Sequence, residues 1–396
     1  MDGDDARTGK WHFKPISPHS PWRLSLFTVE LTQQCNFRCG YCCFSGKYND
    51  RRKHNALVMS DATMRDTIRF ILANRCADRL TIITFYGGES LLALGKIKWM
   101  MKELRAVLGI GVGFSISTNG YALTPKVIDW LVSVSDCHVY ITIDGYRDLH
   151  DQNRRTAGGL PTYDKILANL RYFKTAYPEE YQARVGYLVT LSRWSQLPEV
   201  SERWRTDSFF GDKIPKHLSF LLPSNLSEMQ NPASPIEERR KVMWIAFERY
   251  KYGEKSLLTQ LFDELTASML RNMLTAQSGK DVVVTTCLED MYRTFVSAEG
   301  DVYICERFGS GHAVGSVADG KLDRARVERM EADFINRRNQ RCSHCSAAVS
   351  CRICMTAANY TDMELDALCT TERMMIDLLK EFAWQRRMFD RRKQLT

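Results

Sequence analysis

The stretch ELTQQCNFRCGYCCFSG (Glu30–Gly46) sets Cys35, Cys39, Cys42 and Cys43 within nine residues, directly behind an apolar, β-rich run. Thiols this dense are a disulfide staple, a zinc knuckle or the seat of a reactive metal cluster, and the rest of the chain has to decide. No window approaches the roughly 18 to 20 uninterrupted apolar residues of a membrane helix. The acidic start, Met-Asp-Gly-Asp-Asp, has no apolar segment behind it to make a secretory signal. A cytoplasmic location is therefore expected. There, 13 cysteines, an odd number, read as metal or redox groups rather than disulfides. The net charge of +8 is spread among 47 acids in 396 residues, and no nucleic-acid-binding motif accompanies it. Nucleic acid and membrane are both unexpected partners.

Working outward, six β-rich runs punctuate the first half: LSLFTVELT (24–32), RLTIITFYG (79–87), GFSISTNG (113–120), HVYITIDG (138–145), ARVGYLVTL (183–191) and KHLSFLL (216–222). Segments with helical spacing, such as Asp61–Cys76 and Tyr163–Thr175, lie between them. Strand alternating with helix predicts an α/β fold with a parallel sheet, here a partial (β/α)6 TIM-like barrel, with an open doubly wound sheet as the competitor. Residues 1–23, with Pro15, Pro18 and Pro21, read as an extended lead-in, and 24–225 as the core. A helical bridge is expected over 226–285. It opens with a capping box at Ser234, Pro235 and Glu237 and continues in a core stripe of Leu257, Leu258, Leu261, Phe262, Leu265, Met269 and Met273. Residues 286–370 are loop-rich and cysteine-rich, and 371–396 read as a C-terminal helix. Cys76 and Cys137 read as small core hydrophobes, and the basic loop Lys47–His54 as solvated, with an acidic substrate segment as its alternative partner.

Cys35, Cys39 and Cys42 form C-x3-C-x2-C just past the C-terminal end of the first strand, where parallel α/β folds hold their sites. Three thiolates bind three irons of a [4Fe–4S] cube and leave the fourth open. This spacing, with the aromatic Tyr41 before the last cysteine, resembles the signature of the radical S-adenosylmethionine (SAM) superfamily. The resemblance implies reductive cleavage of SAM to a 5′-deoxyadenosyl radical that abstracts a substrate hydrogen. It places Tyr41 near the adenine, Gly87 and Gly88 of FYGGES against the methionine part, and Glu89 on the ammonium group. It further implies contacts from Ser117, Thr118 and Asn119 of STNG and from Asp144 of the fourth strand's end. Arg154 is the candidate for the SAM carboxylate, which suits a planar guanidinium. Cys43 falls outside the spacing and reads as a packed bystander.

Seven cysteines follow residue 286, in the order C-x12-G-x4-C, C-x2-C-x5-C-x2-C and a last cysteine. This layout resembles the SPASM auxiliary-cluster domain of radical SAM maturases, except that the family ends its central run with C-x3-C. Following the family's interleaving, Cys342, Cys345, Cys351 and Cys369 hold one auxiliary [4Fe–4S] cluster. Cys287, Cys305 and Cys354 then hold a second, whose fourth ligand is unassigned. Three clusters are thus expected in all, with zinc knuckles as the bland alternative and His344 as an exposed loop residue. Glu289, Asp290 and Glu306, near these thiols, read as structural or exposed.

The resemblance implies a maturase acting on a ribosomally made precursor peptide with a leader. Its product is a C–S or C–C side-chain crosslink or an oxidised side chain. A flavodoxin- or ferredoxin-type reductant is implied, and a separate leader-recognition protein is a further expected partner. The competing enzyme reading is dehydrogenation of a small molecule such as an amino sugar alcohol. The non-enzymatic reading, a metal-binding scaffold, leaves Glu89, Arg154 and the open-iron spacing without a purpose.

Overall fold

The computed structural model describes residues 11–14, 23–48, 52–221, 223, 225–232, 234–276, 281–283, 292–309, 311–357 and 360–395. Its twelve described strands are β1 (His12–Lys14), β2 (Leu26–Thr32), β3 (Thr81–Gly87), β4 (Val112–Thr118), β5 (Cys137–Thr142), β6 (Val185–Leu191), β7 (His217–Phe220), β8 (Asp281–Val283), β9 (Arg293–Val296), β10 (Asp301–Tyr303), β11 (Gly315–Ser316) and β12 (Lys321–Leu322). The α-helices are α1 (Asp61–Asn74), α2 (Leu94–Leu108), α3 (Pro125–Ser133), α4 (Arg147–Asn153), α5 (Tyr163–Ala176), α6 (Pro178–Arg184), α7 (Leu197–Thr206), α8 (Leu226–Gln230), α9 (Ile236–Lys251), α10 (Leu257–Ala276), α11 (Arg324–Cys342) and α12 (Asp362–Leu395).

Each of the six expected runs contains a strand, and β2 to β7 lie side by side in sequence order, every neighbour parallel. A doubly wound sheet reverses its strand order at a switch point. Within β2–β7 the order never does, so this part is the singly wound, barrel-type arrangement, and the whole sheet is open with β7 and β12 as its edges. Phe27, Val29, Ile83, Phe85, Ile116 and Ile141 are fully buried and share one face of the sheet, which the helices cover, while the alternate positions of β3 and β5 are half-buried or exposed. Helix α1 starts where the Ser60 hydroxyl accepts the Thr63 amide, and it seats Phe70 and Ile71 on the sheet.

The C-terminal part continues the same sheet rather than starting another. Strand β9 pairs parallel to β2, and β10, β11 and β12 extend it antiparallel. A satellite core gathers Ile304, Val314, Val327, Phe334 and Ile335 around Phe13 of β1, which pairs with β8. The lead-in thus contributes a strand.

Several local expectations change. Helix α9 begins at Ile236 without a side-chain cap. The Ser234 hydroxyl instead accepts the Trp194 amide and donates to Glu238, tying the bridge to the segment after β6. The expected core stripe of α10 is present, with Leu257, Leu258, Phe262 and Met269 buried. The last helix starts at Asp362, and a 19-residue helix, α11, occupies part of the region read as loop. Cys137 is buried as expected, but Cys76 is half-buried beyond α1, with its thiol on Asp78 at 2.6 Å. No described helix is long and apolar enough to cross a membrane.

Candidate active site

The cysteine loop leaves the C-terminal end of β2 and is fixed on two sides by backbone hydrogen bonds. Gly88 N donates to Thr32 O at 2.9 Å and Glu89 N to Gln34 O at 2.7 Å. From the other side come Arg38 N to Arg155 O, Gly40 N to Asn153 O and Ala157 N to Asn36 O, at 2.7–2.9 Å. The two glycines owe their identity to this crossing. A Cβ on Gly88 would stand 1.9 Å from Gln34 O. One on Gly87, whose φ is 127°, would stand 2.7 Å from Thr32 O. Neither distance admits a side chain, and the positive φ favours glycine in its own right. Gly88 therefore meets the thiol loop itself and Gly87 the end of β2 that leads into it, a reason the motif alone does not reveal.

Cys35, Cys39 and Cys42 all border one cavity of about 350 Å³. Burial pushes the Cys35 thiol up to about 12, and a bond with the Cys43 thiol together with burial does the same for Cys42. Cys39 is raised too, by burial, with the nearby Arg154 opposing. Half-buried thiols that discourage one another's ionisation become thiolates when a metal supplies the compensating charge. Among the described residues no three Cys, His, Asp or Glu side chains form a ready single-ion site. Thiols spread around one cavity instead suit a polynuclear cluster, which takes one thiolate per iron. His54 Nε2 stands 3.6 Å from Cys42 Sγ. The basic loop is partly turned inward: Arg52 pairs with the buried Glu30 and covers the Phe44 ring at 3.6 Å. Cys43 borders the cavity as well.

Glu89 is fully buried, and three donors converge on it. Leu91 N and Thr118 Oγ1 reach Oε1 at 3.1 and 2.5 Å, and Asn119 N reaches Oε2 at 2.7 Å. Burial raises its pKa, and these bonds oppose the rise. Asn119 Nδ2 donates to Asn36 Oδ1 at 2.7 Å, and Ser90 Oγ to Ser117 O at 3.1 Å. The ends of β3 and β4 and the thiol loop are thereby one hydrogen-bonded unit.

On the other side, the Tyr41 hydroxyl donates to Asp144 and accepts from Arg154 Nη1 at 2.8 Å. The second Asp144 oxygen accepts the Thr190 amide of β6 at 2.9 Å. His150 Nδ1 accepts the Asp144 amide at 3.2 Å, and its Nε2 faces Thr162 Oγ1 at 3.2 Å. An accepting Nδ1 puts the proton of a neutral imidazole on Nε2. Arg154 borders the cavity, with its Nε buried and lacking a hydrogen-bond partner.

Much of the remaining wall lies outside the sequence motifs: His217, Phe220, Glu306, Arg307 and Tyr360 line it beside Tyr86 of FYGGES. Glu306, read from sequence as structural or exposed, thus faces the cavity while pairing with Arg293 at 2.8 Å. Its neighbour Cys305 is buried and pushed up to about 11, first by burial, then by Glu306, with Cys354 a further contributor. Only tertiary folding brings the residues after β10 to this cavity, so no local signal marks the wall.

The remaining thiols fall into a second neighbourhood. Cys351 and Cys345 raise Cys342, Cys369 raises Cys351, and Cys342 and Cys345 raise Cys369, burial being the larger cause in each. His344 is exposed. Cys287, Glu289 and Asp290 lie outside the described residues.

Residues 29–190 match the Radical SAM superfamily, so this chain carries a radical SAM domain and is an enzyme of that class. It is 22% identical over 376 residues to a cysteine-type anaerobic sulfatase-maturating enzyme of Clostridium perfringens, covering 87% of this chain and 93% of the relative. A serine-type anaerobic sulfatase-maturating enzyme of Bacteroides thetaiotaomicron is 24% identical over 296 residues, or 69% of this chain and 67% of the relative. The solved structure of native anSMEcpe with bound AdoMet and Cp18Cys peptide superposes with a TM-score of 0.64. It has 19% identity and covers 92% of this chain and 98% of that one, a likeness of fold.

Proposed function

We propose that this enzyme abstracts hydrogen from a residue of a ribosomally made peptide, leaving an oxidised or crosslinked side chain. One observation carries the reading: a single cavity is lined both by the C-x3-C-x2-C thiols and by Glu306, the neighbour of Cys305. Relatives that modify proteins match over nearly the whole length of the chain, and this supports a peptide over a small molecule.

Cys35, Cys39 and Cys42 would hold a [4Fe–4S] cluster, and three thiols bordering one cavity fit that demand. When bound, the cluster and SAM supply a primary carbon radical. Glu89 keeps acceptor capacity on Oε2 for an ammonium group, since only Asn119 N engages that oxygen. Arg154 has Nη1 committed to Tyr41 and its Nε still to be satisfied, which suits a carboxylate ligand. Glu89 and Glu306 are the two carboxylate residues on the wall. Three protein donors occupy Glu89, which leaves Glu306 to take up the proton lost when the substrate radical is oxidised. Cys305 and Cys354, with Cys287, are assigned to one auxiliary cluster, and Cys342, Cys345, Cys351 and Cys369 to the other. All described cysteines are free thiols, which fits a reducing, cytoplasmic setting, and the reductive cleavage proposed here calls for an external one-electron donor.

The test is anaerobic co-expression with a short peptide encoded beside the gene, read by mass spectrometry. A loss of two hydrogens is expected, and an unchanged peptide mass overturns the reading. Glu306→Gln should keep deoxyadenosine formation but lower modified peptide by roughly 10²- to 10⁴-fold, the ordinary worth of a positioned base.

A further inference from the structure

We propose that Arg338 is the counter-charge of the auxiliary centre formed by Cys342, Cys345, Cys351 and Cys369, and that it raises that centre's reduction potential. The inference rests on the reading that these four thiols hold an iron–sulfur cluster.

Arg338 lies on α11 one turn before Cys342, the i, i+4 spacing that puts two side chains on one face. Its Nη2 donates to Ala348 O at 2.9 Å, in the turn that separates Cys345 from Cys351. The guanidinium covers the Phe13 ring at 4.4 Å, so aromatic surface shields it from water on that side. Its Nε is buried and has no hydrogen-bond partner.

Neighbouring arginines are arranged differently. Arg337 and Arg341, on either side of it along α11, pair with Asp362, and Arg341 also pairs with Asp366. Arg352 takes Glu372. Among the described residues no carboxylate stands within ion-pair distance of Arg338, although several are close enough for its neighbours. A shielded cation without an anion is costly, and the thiols of Cys342 and Cys351 beside it become the missing anion once the four-thiol site ionises around iron. Burial raises Cys342 and Cys351, and Arg338 opposes the rise for both.

A positive charge and an N–H donor beside a cluster stabilise its more negative, reduced form and so raise its potential. Arg338 does not line the cavity that holds Glu89 and Glu306. It acts through the cluster.

The experiment uses the full chain with Cys35, Cys39 and Cys42 replaced by Ala, so that only C-terminal centres remain. Iron and sulfide are measured after anaerobic reconstitution, and midpoints are read by EPR-monitored redox titration. Arg338→Met should shift the midpoint of one centre to more negative potential, and Arg338→Lys should restore most of it. Loss of iron in Arg338→Met, with retention in Arg338→Lys, would also support a charge requirement. An unmoved midpoint in Arg338→Met at full iron content, or equal iron loss in both variants, overturns the proposal. If the parent variant binds no iron at all, the cluster reading itself fails.

Discussion

The two thiol regions are built to opposite plans. The loop bearing Cys35, Cys39 and Cys42 is held by backbone hydrogen bonds from residues far away in sequence, and buried Glu89 and Asp144 brace the surrounding strand ends. The segment from Cys342 to Cys354 has mostly local turns, such as Cys345 N to Cys342 O and Ala348 N to Cys345 O, with one long-range backbone bond, Trp11 N to Ser343 O at 2.7 Å. Its other longer-range ties are side-chain contacts, such as the ion pair of Arg352 with Glu372, and Arg341 just before it pairs with Asp366. Exposed pairs contribute little, about 0 to 1 kcal/mol each. The first region is thus held by several long-range backbone bonds, whereas the second, with one such bond and buried Ala347 and Ala348, leans more on its metal for shape.

The largest expected effect separates the regions by chemistry. Replacing Cys35, Cys39 and Cys42 with Ala should reduce deoxyadenosine formation under dithionite to the enzyme-free background while leaving iron at the C-terminal thiols. Loss of all iron together would show that the two regions are not independent. Next comes Gly88→Ala, which drives a methyl group into Gln34 O. Backbone cannot yield there as a flexible side chain would, so a stability loss of about 1–3 kcal/mol or more is expected, with loss of SAM binding by calorimetry. Wild-type stability in this variant would refute the crossing of β3 and the thiol loop.

Iron removal sharpens the comparison directly. Anaerobic chelation should raise amide hydrogen exchange between residues 342 and 369, where tertiary backbone bonds are sparse. Strands β2 to β6 should keep their protection. Equal protection in both regions would mean that the C-terminal segment is also preformed.

The same contrast explains what the sequence could disclose. Six runs of seven to nine residues carry enough apolar pattern to show as strands, and spacing places Cys35, Cys39 and Cys42 at the end of the first. Strands β9 to β12 have two to four residues, too few for any period. Helix α11 is so rich in charged residues that it shows little apolar stripe, and the cysteine run begins only at its last residue, Cys342; Cys369 lies inside α12. Glu306 faces the cavity only because β9 docks beside β2, a pairing between residues more than 260 positions apart. Gly88 is legible as important, yet its clash partner is visible only in three dimensions.

The smallest expected effect is a pH dependence confined to the first region. His150 is buried beneath Asp144 and Arg154, and burial, helped by the Arg154 charge, lowers its pKa from 6.5 to about 2. It folds neutral, as its hydrogen bonds require, because Nδ1 must accept the Asp144 amide. The unfolded chain takes up a proton near pH 6.5 and the folded chain does not. Stability from this group is therefore complete above about 6.5 and is lost as pH falls toward 2, at up to about 1.4 kcal/mol per pH unit. Denaturant unfolding of the core between about pH 7.5 and 5.5 should show this slope in the wild type and a shallower one in His150→Gln. Exchange protection around Cys342–Cys369 should be equal in the two proteins at each pH, because no partner of His150 lies there. Parallel unfolding curves for the two proteins would mean that the folded core admits the proton, and the rigid bracing assigned to the first region would have to be given up.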